Sequence, residues 1–416
     1  MKPRHQALAA ALLSVIVSGG WAAEISVAPG QGTLSAAVGA AGNGDTLVLQ
    51  DGAFYEAVTV NKSLTIRPVN RAINALVYGP VTIDGFGITA TLQGLKFSGD
   101  VNLTQAAAIR LIENEWVSDD IEGYYYRSSE GAGTLTIVGN RFAVGSDIVD
   151  IRSDGAYIAG NVLLNGYIHT NAYVWIVGNQ VSHDSYAIIA TSGAKALILA
   201  NRARCDYYYS FTCIIAEAVF NLVAGNVVEV TDTDSSTYAQ NGIYVGGSGE
   251  ATVLNNVVRG LPSSNTRSGA GIFVEAGSAR VAGNIVLDWS SSSGTPINVS
   301  SLSATVTNNL CYNNSGGCPA GGGNLNADPK FVNLTDYALG AGSPAIDAGP
   351  TDDGLADLNR TRNDMGVHGG PWSIGQYDAQ RAPGNYAPFV YPLFKMGSSL
   401  SGGLVDIQAL GVARLR

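Results

Sequence analysis

The sequence is poor in charge, in long apolar runs, in histidine and in cysteine. Only 13% of its 416 residues are charged, with 23 basic against 33 acidic residues. This acidic balance argues against nucleic acid as a partner. The four histidines match no zinc-ligand spacing, so a zinc site is not predicted. Beyond the amino-terminal segment no apolar run is long enough to cross a bilayer, so no membrane span is predicted.

The first residues have the pattern of a secretory signal peptide. Lys2 and Arg4 supply positive charge, Ala7 to Val17 is apolar, and Gly20-Trp21-Ala22 is a small-x-small cleavage site. We expect a signal peptide at 1–23, cleaved near Ala22 or Ala23, and a secreted or periplasmic protein. A transmembrane anchor is the alternative, but the apolar run is short for it. Without Lys2 and Arg4 the chain has 21 basic and 33 acidic residues, a net charge of −12.

The four cysteines fall into two local pairs. Cys205 and Cys213 are eight residues apart, and Cys311 and Cys318 are seven apart. Four cysteines allow three pairings, and export permits disulfides. The local pairing closes two short loops between strands, and it is predicted over the other pairings and over buried free thiols.

A recurring phrase dominates what is present: apolar residues, usually a Gly, then an Asn, then more apolar residues. Successive asparagines of this phrase lie 26, 21, 18, 22, 25, 30, 28 and 25 residues apart. A drifting period in the twenties is typical of a solenoid whose turns carry loops of different length. Short runs rich in β-branched residues make each turn strands rather than helices. The asparagines are Asn114, Asn140, Asn161, Asn179, Asn201, Asn226, Asn256, Asn284 and Asn309.

Stacked coils give the recurrent Asn two roles. Asn tolerates the left-handed conformation that a sharp corner between strands needs. Coils stack about 4.8 Å apart, so the side chains can also hydrogen-bond along the stack as a ladder. The repeat predicts an all-β, single-stranded parallel β-helix of about 10–12 coils. It overrides the two or three domains that length alone suggests.

The opening of the chain resembles secreted right-handed parallel β-helix proteins of the pectate-lyase type. The matching residues include Gly44-Asp45-Thr46, Tyr55 and Lys62 to Ile66. A short helix from Thr33 to Ala41, with Thr33 as its N-cap, is predicted to cap the solenoid. The resemblance implies the right-handed fold over most of residues 25–370. It implies less about chemistry, because lyases, hydrolases, epimerases and non-enzymes share that fold.

The carboxy-terminal part has a different pattern. Residues 326–371 resemble the closing segment of secreted bacterial β-helix proteins and are interpreted as the last coil and cap. The predicted organisation is a signal peptide at 1–23, a β-helix with its caps at 24–371, and a linker with a short β tail at 372–416. The tail, two strand-like runs around Ser401 to Gly403, is expected to form a hairpin or a stub of another module. The protein is expected to be a monomer.

In the resembled fold, the outward side chains of the first strand of each coil form the polysaccharide groove. If Val149 and Ile151 face inward, Asp150 and Arg152 face outward. The same alternation predicts outward side chains at Tyr125, Arg127, His169, Thr191, Glu217, Tyr244, Phe273 and Glu275. Aromatic clusters flank this file and are candidate sugar platforms, with packing of long loops as the alternative. They are Tyr124-Tyr125-Tyr126 and Tyr207-Tyr208-Tyr209 with Phe211.

The leading functional hypothesis is a secreted protein that binds, and cleaves by β-elimination, an acidic polysaccharide. That reaction needs a cation against the substrate carboxylate and a base for the proton alpha to it. The candidate catalytic residues are Arg127, Arg152 and His169, and the candidate binding residues are Tyr125, Asp150, Tyr207, Tyr208, Tyr209 and Glu217. Calcium is a candidate cofactor, held by Asp147, Asp150 and Asp154.

Two alternatives stay open. A glycoside hydrolase needs two carboxylates flanking the bond, and Asp150 with Asp154, or Asp184 with Glu217, are the candidates. The characteristic Asn-Thr-Asp, Asp-Asp, Gly-His-Gly and Arg-Ile-Lys set of the β-helix hydrolases is missing. The other alternative is a non-catalytic surface or adhesion protein that uses the solenoid as a rigid rod, with the charges merely solvated.

Overall fold

A computed structural model describes most of the chain. The described residues are 22–70, 74–123, 134–207, 212–232, 241–261, 269–291, 295–377, 389–393 and 408–412. The predicted signal peptide falls almost entirely outside these residues. Across the described ranges, no helix combines the length and apolarity that crossing a membrane requires.

Three long sheets, each parallel throughout, account for almost all of the regular structure. Sheet 1 has eleven strands, and each is the first strand of a complete coil. Its strands are β4 (Val58–Val60), β7 (Val81–Asp84), β10 (Val101–Gln105), β13 (Ile121–Glu122), β16 (Ile148–Ile151), β19 (Ile168–Thr170), β22 (Ile188–Thr191), β25 (Ile214–Glu217), β28 (Ile243–Val245), β31 (Ile272–Val274) and β34 (Ile297–Val299).

Sheet 2 has thirteen strands, each ending just before the Asn corner in the coils that have one. Its strands are β1 (Glu24–Val27), β2 (Thr46–Leu49), β5 (Leu64–Pro68), β8 (Thr89–Gln93), β11 (Ala108–Ile112), β14 (Thr134–Val138), β17 (Ala156–Ala159), β20 (Val174–Val177), β23 (Lys195–Leu199), β26 (Phe220–Ala224), β29 (Glu250–Leu254), β32 (Ser278–Ala282) and β35 (Ser303–Thr307).

Sheet 3 also has thirteen strands and follows the corner. Its strands are β3 (Gly52–Tyr55), β6 (Ala75–Tyr78), β9 (Lys96–Ser98), β12 (Glu115–Ser118), β15 (Arg141–Phe142), β18 (Val162–Leu164), β21 (Gln180–His183), β24 (Arg202–Tyr207), β27 (Val227–Asp232), β30 (Val257–Gly260), β33 (Ile285–Leu287), β36 (Leu310–Tyr312) and β37 (Leu325–Asn326).

Every strand of these three sheets therefore pairs with the equivalent strand one coil away, and the fold is a right-handed parallel β-helix. Among the described residues, eleven coils contribute a strand to all three sheets, which confirms the predicted fold and coil number. Alternate residues of each strand point into a continuous apolar core. Within it Phe97, Trp116 and Phe142 stack from coil to coil, with ring centroids 4.9 and 4.7 Å apart.

The predicted asparagine column is confirmed. Each side-chain amide donates to the Oδ1 of the Asn in the next coil, as Asn161 does to Asn179 at 2.9 Å. The same Oδ1 accepts the backbone N–H of Asn161 at 2.9 Å, and the amide also donates to the Ile137 carbonyl. The column runs from Asn114 to Asn309 and ends on Asn324, which the repeat did not identify. From Asn114 to Asn309 these side chains are almost fully buried, so the amides satisfy one another where water cannot reach them.

The left-handed residue of the corner is not the Asn, as predicted, but the residue before it. Gly139, Gly178 and Gly225 have φ of 69°, 64° and 67°. Glu113, Ala200, Asn255 and Asn308 occupy the same corner position with φ between 52° and 55°. The preceding residue thus makes the turn, and the Asn is free to make the ladder.

The predicted capping helix is present as α1 (Thr33–Ala40). Its N-cap is Gly32 rather than Thr33, and no side chain of its own caps it. Glu56 from the following coil does so, with carboxylate oxygens 2.8 Å from the backbone nitrogens of Leu34 and Ser35. At the other end, the Lys62 ammonium donates to the Gly39 and Ala41 carbonyls at 2.7 Å. A negative charge at the amino end and a positive charge at the carboxy end match the helix dipole. This contact explains why the Lys62 to Ile66 motif begins with a lysine.

The carboxy-terminal segment differs from the predicted cap. After β37 the chain turns back along the outside of the Asn corner; we call residues 327–377 the strap. It contacts the corner at Asn308 through Ala348 O, at Gly283 through Gly366 N, and at Gly225 and Gly178 near Trp372 and Tyr377. Tyr337, Met365, Trp372 and Tyr377 of the strap are buried against the outer side chains of sheets 2 and 3. The strap also contains a short 3₁₀ turn, Asp353–Leu355. Closing the end alone cannot explain it, since it covers several coils.

Both predicted disulfides are present, and the described cysteines include no free thiol. Cys205–Cys213 spans the loop between β24 and β25, and Cys311–Cys318 lies in the last coils. Such bonds persist in oxidising compartments, which fits an extracellular protein. In the tail, β38 (Phe389–Leu393) pairs antiparallel with β39 (Gln408–Val412), as the predicted hairpin requires.

Candidate functional site on the outer face of sheet 1

The outer face of sheet 1 carries two columns of side chains, one residue per coil. Strand register defines both. Column A contains Glu122, Val149, His169, Ile189, Ile215, Tyr244 and Phe273. Column B lies two residues further along each strand and contains Arg152, Asn171, Thr191, Glu217, Gly246 and Glu275. Those predicted outward positions that the structure describes therefore lie on one face, but in two columns rather than in one file.

A β-bulge interrupts this pattern at β16. The register between β16 and β19 shifts between Ile148 and Ile151, and Asp150 has a φ of 53°. Two residues of β16 thus oppose the single His169. The predicted inward position of Val149 is wrong, because the extra residue leaves it half-buried beside Asp150. Ile151 is buried and Arg152 is exposed, as predicted.

The bulge brings Asp150 to the centre of a polar network. Its Oδ1 lies 3.3 Å from His169 Nδ1 and 3.4 Å from the Asn171 amide nitrogen, which donates to it. The Thr191 hydroxyl lies 2.6 Å from Asn171 Oδ1 and donates to it. Asp150 and His169 keep 14% and 26% of their side-chain surface exposed. The ring of His169 is therefore fixed by a carboxylate yet still accessible to a ligand.

The other predicted binding residues are only partly described. Arg127, Tyr125, Tyr208 and Tyr209 lie outside the described residues, and of Tyr207 only the backbone, at the end of β24, is described. Glu217 is exposed in column B, two coils beyond His169. Their roles stay predictions.

A second ladder, of aspartates, runs along the corner that precedes sheet 1. Asp100 Oδ1 accepts the backbone N–H of Asp120 at 3.2 Å, and Asp120 Oδ1 accepts that of Asp147 at 2.7 Å. Asp147 Oδ1 accepts the N–H of Tyr167 at 2.9 Å. Sequence reasoning missed this ladder, although each Asp directly precedes a β-branched residue that begins a strand of sheet 1.

The stacked carboxylates perturb one another. Burial, with Asp120 and Asp184 nearby, raises the pKa of Asp147 to about 7. Burial and the charges of Asp100 and Asp119 raise the pKa of Asp120. Burial, with Asp100, Asp120 and Asp150, also raises the pKa of Glu122 in column A. This end of sheet 1 thus holds several carboxyl groups that retain protons above their usual range.

The predicted calcium ligands do not converge. Asp147 accepts the N–H of Tyr167 before β16, whereas Asp154 accepts that of Tyr173 after it, at 2.9 Å. Asp150 faces His169 between them. In the described part of the chain no three Asp, Glu, His or Cys side chains are grouped so that they could hold a metal ion. The three aspartates therefore do not fit a shared cation site.

Comparisons with known proteins add little beyond the architecture. No protein-family model matches the chain, and no curated protein matches it. Among solved structures, the crystal structure of pectate lyase Pel9A matches with 14% sequence identity. The match covers 80% of this chain and 90% of that chain, with a TM-score of 0.39. The class is defined by the chain's own three parallel sheets: this is a right-handed parallel β-helix protein, with the strap over its Asn corner and an open outer face on sheet 1.

Proposed function

We propose that this protein binds a polysaccharide along the outer face of sheet 1 and cleaves it by β-elimination beside a uronic acid unit. The observation that carries the proposal is the pairing of His169 with Asp150 on an accessible face, with Arg152 in the neighbouring column. The columns run along the solenoid axis, so a chain of sugars can contact several coils at once.

The reaction assigns a separate task to each residue. A base removes the proton on the carbon alpha to the carboxylate, the electron pair forms a carbon–carbon double bond, and the bond to the leaving glycosidic oxygen breaks. That oxygen then takes up a proton. His169 is the proposed base, because Asp150 Oδ1 lies 3.3 Å from Nδ1, which favours the tautomer with its proton on Nδ1 and leaves Nε2 to take the proton. Arg152 is proposed to neutralise the substrate carboxylate, which makes the alpha proton easier to remove.

The spacing of these groups suits a sugar ring. Arg152 lies one coil and two residues away from His169, or about 8 Å between Cα atoms at typical sheet spacings. A uronate placed between the two columns can therefore meet both side chains. Arg127 is the predicted second cation from the preceding coil, and Tyr125, Tyr207, Tyr208 and Tyr209 are the predicted stacking residues at the two ends. No step is routed through calcium, since Asp147, Asp150 and Asp154 do not share a centre.

The alternatives are weaker on geometry. Asp154 is engaged by a backbone N–H in the turn after β16, away from Asp150. Asp184 lies before β22, beside His183 at 3.4 Å, whereas Glu217 ends β25, so the pair stands at opposite ends of the strands. A hydrolase pair flanking one bond is therefore less well supported than the His169–Asp150 pair. A non-catalytic binding protein remains the second alternative, and the experiment below separates it.

The first test is a polymer screen read by the ultraviolet absorbance of the unsaturated product. Pectate, alginate and chondroitin-type polymers are incubated with the full chain, with and without Ca²⁺. For the polymer that is cleaved, His169→Ala should lower kcat about 10²- to 10⁴-fold, the usual contribution of a positioned base. Arg152→Ala should lower kcat/KM, because both binding and transition-state neutralisation lose a cation.

Arg110→Ala is the matched control, since Arg110 is exposed on sheet 2, away from both columns. It should leave the rate unchanged. Full activity of the combined Arg152→Ala and His169→Ala variant would refute the site. Binding without any product, in every polymer, would favour the non-catalytic alternative.

A further inference from the structure

The far half of the open face has a different chemistry from the His169 end. Beyond His169, column A is apolar, with Ile189 and Ile215 followed by Tyr244 and Phe273. All four side chains are half-buried. The Tyr244 and Phe273 ring centroids lie 5.6 Å apart. This half therefore presents an apolar and aromatic stripe to a ligand that begins at His169.

The Tyr244 ring occupies the space beside Gly246 that is free because glycine has no side chain. A Cβ on Gly246 would lie 2.7 Å from the Tyr244 hydroxyl oxygen and 3.0 Å from its Cε1 and Cζ atoms. Gly246 belongs to the outward column B, so the ring covers the space that a side chain there would fill. The hydroxyl end of the ring therefore lies beside Gly246, and the half-buried ring keeps part of its surface accessible to a ligand.

Two glutamates flank this ring. Glu217 precedes Gly246 in column B by one coil and Glu275 follows it by one coil, about 10 Å from each other at typical coil spacing. The Tyr244 hydroxyl donates to Glu275 Oε2 at 3.4 Å. Both glutamates are exposed, and Tyr244 feels the charge of both. A ligand on the ring is therefore surrounded by hydrogen-bond acceptors and by negative charge.

We infer that Tyr244, lying over Gly246 between Glu217 and Glu275, is a stacking subsite for an uncharged sugar unit. Sugar rings bring apolar faces to the aromatic ring and hydroxyl donors to the two carboxylates. A uronate would instead bring a third carboxylate between them, which like-charge repulsion disfavours. This inference rests on the proposed function and sharpens its substrate class: a heteropolymer that contains uncharged units as well as uronates, rather than a homopolymer of uronates.

The experiment measures Kd of the full chain by calorimetry for two probes at low salt. Polygalacturonate is the homopolyuronate, and unsulfated chondroitin alternates a uronate with an N-acetylated hexosamine. The wild type should bind chondroitin at least about tenfold more tightly. Tyr244→Ala and Gly246→Val should each weaken chondroitin binding about tenfold, the equivalent of about 1.4 kcal/mol, because one removes the ring and the other displaces it. Tyr244→Phe keeps the ring and should stay within about twofold.

The decisive experiment removes the two negative charges beside Tyr244. The double variant Glu217→Gln with Glu275→Gln should bind polygalacturonate about tenfold more tightly than the wild type, whereas chondroitin should gain no affinity, because its hydroxyl donors lose two charged acceptors. Thermal melting of each variant checks that the surface substitutions leave the fold intact.

The outcomes separate the two proposals. Equal binding of both polymers by the wild type, or a double variant that gains nothing for polygalacturonate, overturns the uncharged subsite while the proposed function stands. Preferential binding of a polyglucosamine, which carries ammonium groups, would also overturn it. Absence of binding to every polymer would overturn the proposed function itself.

Discussion

Two corners of this solenoid carry ladders of similar side chains, and they behave differently. At the corner between sheets 2 and 3, ten asparagines link from coil to coil. At the corner before sheet 1, the described ladder contains three aspartates, Asp100, Asp120 and Asp147. In both, a side-chain oxygen accepts a backbone N–H of a neighbouring coil, which is the preceding coil for the asparagines and the following coil for the aspartates. Only the amide also donates, so only the asparagine column joins side chain to side chain.

This difference in hydrogen bonding explains why the asparagine corner is buried and the aspartate corner lies at the open face. The asparagines are neutral and satisfy each other, so their corner is buried and covered by the strap. Stacked carboxylates repel one another and need water or protons, and they lie at the edge of the open face. One corner thus provides stability, and the other leaves ionisable groups beside His169 and Asp150.

The largest expected effect comes from breaking the amide column at its centre. Asn179→Ala removes the acceptor of the Asn161 backbone N–H and of the Asn161 amide, and leaves the Ile158 carbonyl without its donor. Each buried unsatisfied group costs about 1–3 kcal/mol, so the free energy of unfolding should fall by about 4 kcal/mol. Denaturant titration followed by circular dichroism measures it.

Asn61→Ala is the control, because Asn61 is exposed and outside the column. It should change the unfolding free energy by less than about 0.5 kcal/mol. Equal losses in the two variants would mean that the ladder contributes no more than surface asparagine does.

The second prediction tests whether contact with the strap, in addition to the left-handed turn, requires glycine at position 225. Gly139 and Gly225 have nearly the same φ, 69° and 67°. A Cβ at Gly225 would lie 2.3 Å from the Trp372 carbonyl oxygen of the strap, whereas at Gly139 the nearest atom is Glu113 Cγ at 3.3 Å. Gly139→Ala should cost about 1 kcal/mol through left-handed strain. Gly225→Ala should cost about 2–3 kcal/mol, because strain and overpacking add.

The two variants control for each other, because both introduce the same backbone strain and only Gly225→Ala also meets the strap. Proteolysis of the strap, assayed alongside unfolding, should accelerate in Gly225→Ala and stay unchanged in Gly139→Ala. Similar losses in both would show that the turn alone requires glycine.

The sequence predicts the Asn column and the strand order well because both depend on a strict geometric repeat. Asn140, Asn161 and Asn179 each follow an apolar run with the same inward positions, so one rule serves every coil. The sequence predicts the pairing of Cys205 with Cys213 equally well, because neighbouring coils keep the two thiols close.

The missed features depend on contacts that no local repeat encodes. The bulge at Asp150 adds one residue to a strand whose alternation otherwise looks regular, so strand alternation wrongly predicts an inward Val149. The strap could not be distinguished from a cap, because its Trp372 and Tyr377 pack on coils more than 140 residues earlier. Tyr244 over Gly246 is a side-chain position, and strand alternation gives only its outward direction.

The smallest expected effect tests the aspartate ladder through pH. The pKa of Asp147 rises from 3.8 to about 7 in the folded protein, so folding favours the protonated form. The stabilisation from this group is complete below about pH 4 and is lost as the pH rises through 7. Asp147→Asn keeps the oxygen that accepts the Tyr167 N–H but cannot ionise. It should therefore raise Tm relative to the wild type at pH 8, by on the order of 2 °C, with the difference shrinking towards pH 4.

Asp154→Asn is the matched control, because Asp154 also accepts a backbone N–H of the next coil but stands outside the ladder. A pH-dependent gain in Tm that appears in Asp147→Asn and not in Asp154→Asn would assign the effect to the ladder. A constant shift from Asp147→Asn would mean that ionisation of this group is not linked to folding, and a shift that grew as the pH fell would mean that the carboxylate stabilises the fold as an anion. The two corners would then differ in their burial but not in their tolerance of charge, and the open face beside His169 would need another explanation for its uncovered position.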